Sequence, residues 1–474
     1  MQRRQFIKSG VFGAVAVVLA GCTGGSSDGG SSGGETNGSS DDTETADSTS
    51  TTDTGSESSE NEPTTGSGDT EGSGTTADGT DTTSGTNGSS TATDAGSGDS
   101  GDGPIKIGSL HALAPPLAEP AEQERRGMRL AVRQVNEAGG IAGRQVEASY
   151  DNTNADPKTA LEKARNLVSG EGVSMLYGAT LGPSALSISG YTTEQQVPYF
   201  HAASLNALSR ADCSKSTFNL NVDEAMRSKA IVPTILDRTG GDGWLQVFDI
   251  PWGQNIQNGM DRALSDLDTD SQVVNTTVSG LQETDFSNVI SQIASSDADW
   301  VYIGMGGGGL SAFLKQADQF NLRDQVDLYG ASAGQPARQA AGSAITGLIA
   351  HSRYTPLYES DVNKRFREAF MAEYDVPPNQ FAKDAWEALH LYKAAVEEVG
   401  TTDYEAVVGG IEEAEIEGPM GPVSMRACDH RVLRPIHIGE IIDSDQYEAP
   451  VAEVIETIDG TETTIPCEET GCSF

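Results

Sequence analysis

Two short runs carry residues that could do chemistry. Gly330-Ala331-Ser332-Ala333-Gly334 fits the G-x-S-x-G pattern, which holds a serine nucleophile on a sharp strand-to-helix turn. Asp361 or Asp384, followed by His390, His430 or His437, stand in the chain order that a serine hydrolase needs. Gly304-Met305-Gly306-Gly307-Gly308-Gly309 fits G-x-G-x-x-G between a strand and a helix, the phosphate-binding turn of dinucleotide folds. Each run lacks a further part. No HGGG-type oxyanion segment precedes Ser332, and small-residue pentads arise easily by chance in a chain with 55 glycines. The dinucleotide reading needs an acidic residue closing the next strand, and that strand ends in Tyr329-Gly330. Both runs therefore read as permissive backbone, and neither catalysis nor a cofactor is expected.

The cysteines point to an oxidising compartment. Beyond Cys22 they are Cys213, Cys428, Cys467 and Cys472, which allow three connectivities. The Cys467/Cys472 spacing is too wide for a CxxC metal knuckle and has no histidine beside it. Disulfides, one or two, are expected rather than a metal.

Met1–Cys22 places the protein outside the cytoplasm. Arg3-Arg4 form a twin-arginine n-region, and Val11–Ala20 is an apolar core too short to span a bilayer as an ordinary helix. Leu19-Ala20-Gly21-Cys22 then reads as a lipobox with Cys22 lipidated. Twin arginines mark the route that exports folded proteins. Residues 23–103 are nearly all Ser, Thr, Gly, Asp and Glu. So little apolar surface cannot offset the entropy of ordering, so this stretch reads as a disordered acidic tether.

The formal charge of −40 extends into the folded part, with 70 acidic against 30 basic residues. Such a surface repels nucleic acid and anionic headgroups. It also repels itself unless salt screens it, and the Debye length shrinks to roughly 3 Å at 1 M. A halophilic, archaeal source is expected.

From residue 104 onward strands and helices alternate. Strands are expected at Ile105–Leu110, Val146–Asp151, Val173–Tyr177 and Pro198–His201, and again at Leu245–Phe248, Gln272–Val278, Trp300–Ile303 and Leu328–Tyr329. Helices are expected over Arg125–Ala138, from Asp156-Pro157, from Ser184, and over Asn255–Leu267, Phe286–Ser295 and Leu310–Phe320. Two such series imply an α/β protein of two lobes, each a parallel sheet flanked by helices, with ligands beyond the carboxyl ends of the strands. His111 and His201 end strands and read as structural. Trp244 and Trp300 read as packing residues, and Trp252 lies in the loop Asp249–Gly253.

The pieces IKIGSL, RGMRLAVRQVNEAGGIAGRQVEASYDN, DPKTALEKARNLV, QVPYFHAAS, TDFSNVISQI, DWVYIG, the helix Phe381–Val399 and MRACDHRVLRPIHIGEI resemble, in order and spacing, the branched-chain amino-acid and amide-binding proteins of ABC importers. The resemblance runs from Pro104 to about Glu456 and implies a type I periplasmic binding protein with three crossings between lobes. It implies lobe 1 as 104–222 plus 353–425, lobe 2 as 223–352 plus 426–464, and a tail over 465–474.

It also implies a site. The carboxylate-holding loop falls on Thr180, Leu181 and Ser184, and the next loop on Ala203, Ser204 and Leu205. Asp223 matches an aspartate near the first crossing, and Trp252 stands where the family often has tyrosine. Two positions depart from the pattern: Gly306 replaces a tyrosine, and Ser332 replaces the glutamate that binds an amino-acid ammonium. The implied protein is an exported, lipid-anchored monomer that captures a small polar solute, a branched-chain amino acid or an amide or urea-like compound. Its partner is an ABC permease; a signalling partner is the alternative, and a serine hydrolase using Ser332 the other.

Overall fold

The computed structural model of the protein describes residues 103–115 and 117–474. The expected signal segment, the lipobox at Cys22 and all but the last residue of the tether lie outside the described residues.

The first sheet is built from β1 (Ile105–His111), β2 (Val146–Asn152), β3 (Met175–Gly178), β4 (Tyr199–His201) and β5 (Thr217–Asn219), in the order β2-β1-β3-β4-β5 and parallel throughout. Between them run α1 (Ala118–Glu137), α2 (Pro157–Arg165) and α3 (Gly182–Gln195). Met128, Ala131 and Val135 form the buried stripe of α1, as their spacing requires. That helix begins seven residues before the expected Arg125, because its first turns are polar and carry no apolar period to read. Asp156 caps α2, accepting from the Thr159 N–H at 2.7 Å.

The chain then crosses to a second sheet through α4 (Glu224–Arg238), which no expected element covered. Here β6 (Gly243–Phe248), α5 (Pro251–Asp266), β7 (Val273–Ser279), α6 (Ser287–Ala294), β8 (Trp300–Gly304), α7 (Gly307–Gln319), β9 (Asp327–Gly330), α8 (Gln335–Ala341) and β10 (Ile349–Ser352) follow in turn. Trp300 and Trp244 are buried in its core. A second crossing returns the chain to α9 (Asp361–Tyr374), α10 (Gln380–Val399) and α11 (Tyr404–Glu413), which pack on the first lobe. Helices α1 and α10 lie so close that a Cβ on Gly127 would overlap the carbonyl oxygen of Ala382.

A three-stranded antiparallel sheet, β11 (Glu415–Gly418), β12 (Gly421–Met425) and β13 (Val432–Leu433), contains the third crossing. After it, β14 (Ile436–Ile442) and β15 (Val451–Ile458) join the second sheet antiparallel, giving β15-β14-β10-β9-β8-β6-β7, and α12 (Gly460–Thr463) ends the regular structure. The second sheet is therefore mixed rather than wholly parallel. Its two added strands form a hairpin, which needs no crossover helix.

The four cysteines form two bridges, Cys213–Cys472 and Cys428–Cys467. The tail thus reaches both lobes: Cys472 is bonded to the first, while Glu469 pairs with Arg262 of α5 at 2.6 Å.

Candidate functional site

In each sheet the winding direction reverses once. The reversals fall between β1 and β3 in the first sheet and between β6 and β8 in the second. Beyond the carboxyl ends of the two strands at such a point the loops diverge in opposite directions and leave a crevice. In the first lobe that crevice is bounded by the loop from Gly178 to Ser184. Gly178 ends β3 at φ 117°, and a Cβ there would overlap the carbonyl oxygen of Leu110. The chain can turn toward the crevice there only without a side chain.

Leu181 is the extended N-cap of α3, followed by Gly182, Pro183 and Ser184. The first turn of a helix has N–H groups without helical partners, and its positive end suits an oxygen anion. Ser184 is wholly buried, and its hydroxyl has no partner among the described residues. Thr180 donates to Glu124 Oε2 at 2.9 Å, tying this loop to α1. Leu205 packs beside Gly182, and the exposed Ser204 accepts from Asn221 Nδ2 at 2.9 Å, while Ala203 is buried. Six predicted residues of the first lobe thus form two loops at one sheet edge.

In the second lobe Trp252 and Gly306 flank the other reversal. Trp252 lies in the first turn of α5, not in a loop as its sequence suggested, because Pro251 supplies the fixed φ favoured at a helix start. Its indole N–H donates to Glu224 Oε1 at 2.8 Å. Gly306 is the N-cap of α7, and a Cβ there would meet nothing within 4 Å. Gly309 lies against the Phe248 ring, where a Cβ would stand 2.6 Å away. The glycine run serves packing and helix entry.

Asp223 has its oxygens engaged within the chain. It caps α4 through the Met226 N–H at 2.9 Å, pairs with Arg210 at 2.8 Å and lies 4.0 Å from Arg431. Burial pushes its carboxyl up, but Arg431, the Met226 N–H and Arg210 outweigh that and hold it below the ordinary range.

Sequence reasoning missed the charges under the crevice. Arg353, on the second crossing, is largely buried, pairs with Asp384 and lies 5.5 Å from the Phe381 ring. Lys383 joins Asp384 at 2.8 Å and Glu387 at 3.2 Å, and Arg434 joins Glu387 at 2.8 Å. Burial raises the Glu124 carboxyl to about 8, against the opposing pull of Thr180 and Arg353. Burial also raises Glu224, opposed by Arg227, Trp252 and, more weakly, Arg353. The Arg353 charge is therefore felt by a carboxyl from each lobe. In sequence these residues look like solvated faces of helices, and only the crossings bury them.

Ser332 lines a cavity of about 20 Å³ between β9, β10 and the start of α10. The histidines that could have served it are engaged elsewhere. His390 stacks on Trp386 with ring centroids 3.5 Å apart, His430 pairs with Glu412 at 2.8 Å, and His437 bonds Thr457 at 2.9 Å and the Met420 carbonyl at 2.8 Å. His111 and His201 are fully buried, bonded to Ser109 at 2.9 Å and to the Ala203 N–H at 3.2 Å. Among the described residues no group of three or more His, Cys, Asp or Glu is placed to hold a metal.

Two sheets that each reverse once, joined by three crossings, define the two-lobed fold of a solute-binding protein. A periplasmic binding protein family model matches residues 104–446, and the chain belongs to that family, as a type I periplasmic binding protein of ABC transporters. It is 23% identical over 399 residues to the "Leu/Ile/Val-binding protein homolog 4" of Brucella melitensis, covering 78% of this chain and 92% of that one. A branched-chain amino-acid ABC transporter ligand-binding protein from Burkholderia xenovorans superposes with a TM-score of 0.72 at 18% identity, covering 78% and 99% of the two chains. A Rhodopseudomonas palustris solute-binding protein in complex with benzoate superposes at 0.65 with 22% identity, covering 78% and 100%. At these identities the two structures show the fold.

Proposed function

We propose that the protein captures a small organic carboxylate in the crevice between the two sheet reversals, closes on it, and presents the closed form to an ABC permease outside the cell, without catalysis. The observation that carries this reading is the first turn of α3. That turn, beside the reversal of the first sheet, has N–H groups without helical partners, and the buried Ser184 hydroxyl in it has no partner among the described residues. Oriented donors of this kind suit a carboxylate.

The second lobe favours a solute without an α-ammonium. Asp223 is occupied by two arginines and a helix cap, while Gly306 and Ser332 bring no charge. A buried ammonium needs a paired anion. The benzoate complex of the Rhodopseudomonas relative fits such a solute, and the Brucella relative's name fits a branched-chain amino acid. The twin arginines and Leu19–Cys22 support export with a lipid anchor at Cys22.

Titration calorimetry in molar salt with benzoate, leucine, isoleucine, valine, acetamide and urea tests this. Benzoate is expected to bind and the two neutral compounds not to. Binding of acetamide or urea alone overturns the carboxylate reading. Ester hydrolysis that disappears in Ser332→Ala overturns the binding reading altogether.

A further inference from the structure

Arg338 lies one turn into α8 and is 6% exposed. Its Nε and Nη1 have no hydrogen-bond partner among the described residues, and no carboxylate there pairs with it. Other arginines with little exposure have one: Arg227 pairs with Glu224, Arg353 with Asp384, Arg431 with Asp223 and Arg434 with Glu387. Burial alone draws the Arg338 guanidinium down to about 10, so it stays charged at any physiological pH. An unpaired buried cation is costly, and a chain retains one where something external supplies the anion.

The surroundings are those of a seat for one. Arg338 lines the cavity that Ser332, His351, Ser352 and Tyr354 also line. The Ser352 and Tyr354 hydroxyls and His351 Nδ1 are buried without partners among the described residues. On its other side Arg338 lines a groove of about 280 Å³ whose walls carry Pro356, Met371, Val376, Pro377 and Pro450, with the carboxylates Asp375 and Glu448 also along it. The groove walls come from α8, from α9 and the segments on either side of it, and from the β14–β15 turn, so both lobes contribute.

We infer that Arg338 heads a second ligand site, apart from the first turn of α3, which takes the carboxylate of a small organic acid whose apolar body lies in the adjoining groove. The guanidinium supplies the charge, the hydroxyls of Ser352 and Tyr354 add donors, and the prolines and Val376 cover the hydrocarbon. Because its walls belong to both lobes, an occupant bridges the hinge.

The test is titration calorimetry of the protein with hexanoate and its neutral counterpart hexanamide in molar potassium chloride. Wild type is expected to bind hexanoate and not hexanamide. Arg338→Gln removes an unpaired charge, so it should melt no lower than wild type while losing at least tenfold in hexanoate affinity. Val376→Glu leaves Arg338 in place, sets a like charge on the groove wall, and should cause the same loss. With the seat at α3 saturated by benzoate, hexanoate binding should persist in wild type and be lost in Arg338→Gln. The proposal falls if Arg338→Gln binds hexanoate as wild type does, or if hexanamide binds equally well. It also falls if bromide soaked into crystals occupies Arg338 and hexanoate does not displace it, which marks a halide site only.

Discussion

The Thr180 hydroxyl donates to Glu124 Oε2 at 2.9 Å, joining the loop at the first sheet reversal to the second turn of α1. The acceptor is a fully buried carboxyl raised by that burial to about 8, so at neutral pH it is an uncharged acid. The folded form holds this proton up to about 8 and the unfolded chain only to about 4.5. Stability from this group is therefore full below pH 4.5 and lost as pH rises toward 8. Glu124→Gln keeps an oxygen for Thr180 and removes the titration. Denaturant midpoints of wild type and variant should match near pH 5 and separate in the variant's favour by pH 9, each unit of displacement corresponding to about 1.4 kcal/mol.

The buried histidines act at the other end of the scale. Burial lowers both His111 and His201 to about 3, with Arg125 adding to the effect on the first and Arg431 on the second. Their folded forms refuse protons that the unfolded chain accepts from about 6.5 downward, so stability present above pH 6.5 is lost as pH falls toward 3. His201→Gln should flatten that acid limb in a pH series followed by circular dichroism. An unchanged limb would show that His201 is charged in the fold.

Asp223→Asn should act on stability. The amide can still cap α4, but it leaves Arg210 and Arg431 without their anion. Removing one partner of a buried pair costs about 3–5 kcal/mol. Affinity for the crevice solute should stay within about tenfold, or 1.4 kcal/mol. A variant as stable as wild type that no longer binds leucine would instead give Asp223 the ammonium.

The two disulfides should contribute unequally. They join residues 259 and 39 apart in sequence, and chain entropy in the unfolded state gives about 5.5 and about 4 kcal/mol respectively. Cys472→Ser should therefore lower the denaturant midpoint more than Cys428→Ser. The reverse order would show that loop length does not decide their contributions.

Cys22→Ser should release the protein into the medium, since two lipid chains give stable anchorage and residues 23–103 carry no apolar anchor. Cell fractionation decides this, and full membrane retention of the variant would end the lipobox reading.

The sequence alone determined what depends on local pattern. Period-two and period-3.6 apolar spacing located β1, the stripe of α1 and both strand–helix series, and Asp156-Pro157 marked the start of α2. Thr180, Ser184 and Gly306 came from the family resemblance, and the readable strands before them put each a few residues past a strand end. Tertiary structure alone decided what depends on distant partners. The hairpin β14–β15 joins the second sheet from far along the chain, and no nearby residue announces which sheet it will extend. Which cysteines pair depends on where the tail is carried. Asp223, Glu124, Arg353 and Arg338 all look solvated in sequence, because a charge beside small polar residues has the same local pattern whether water or protein surrounds it. Only the tertiary fold buries them, pairing three with partners far along the chain and leaving Arg338 without one among the described residues.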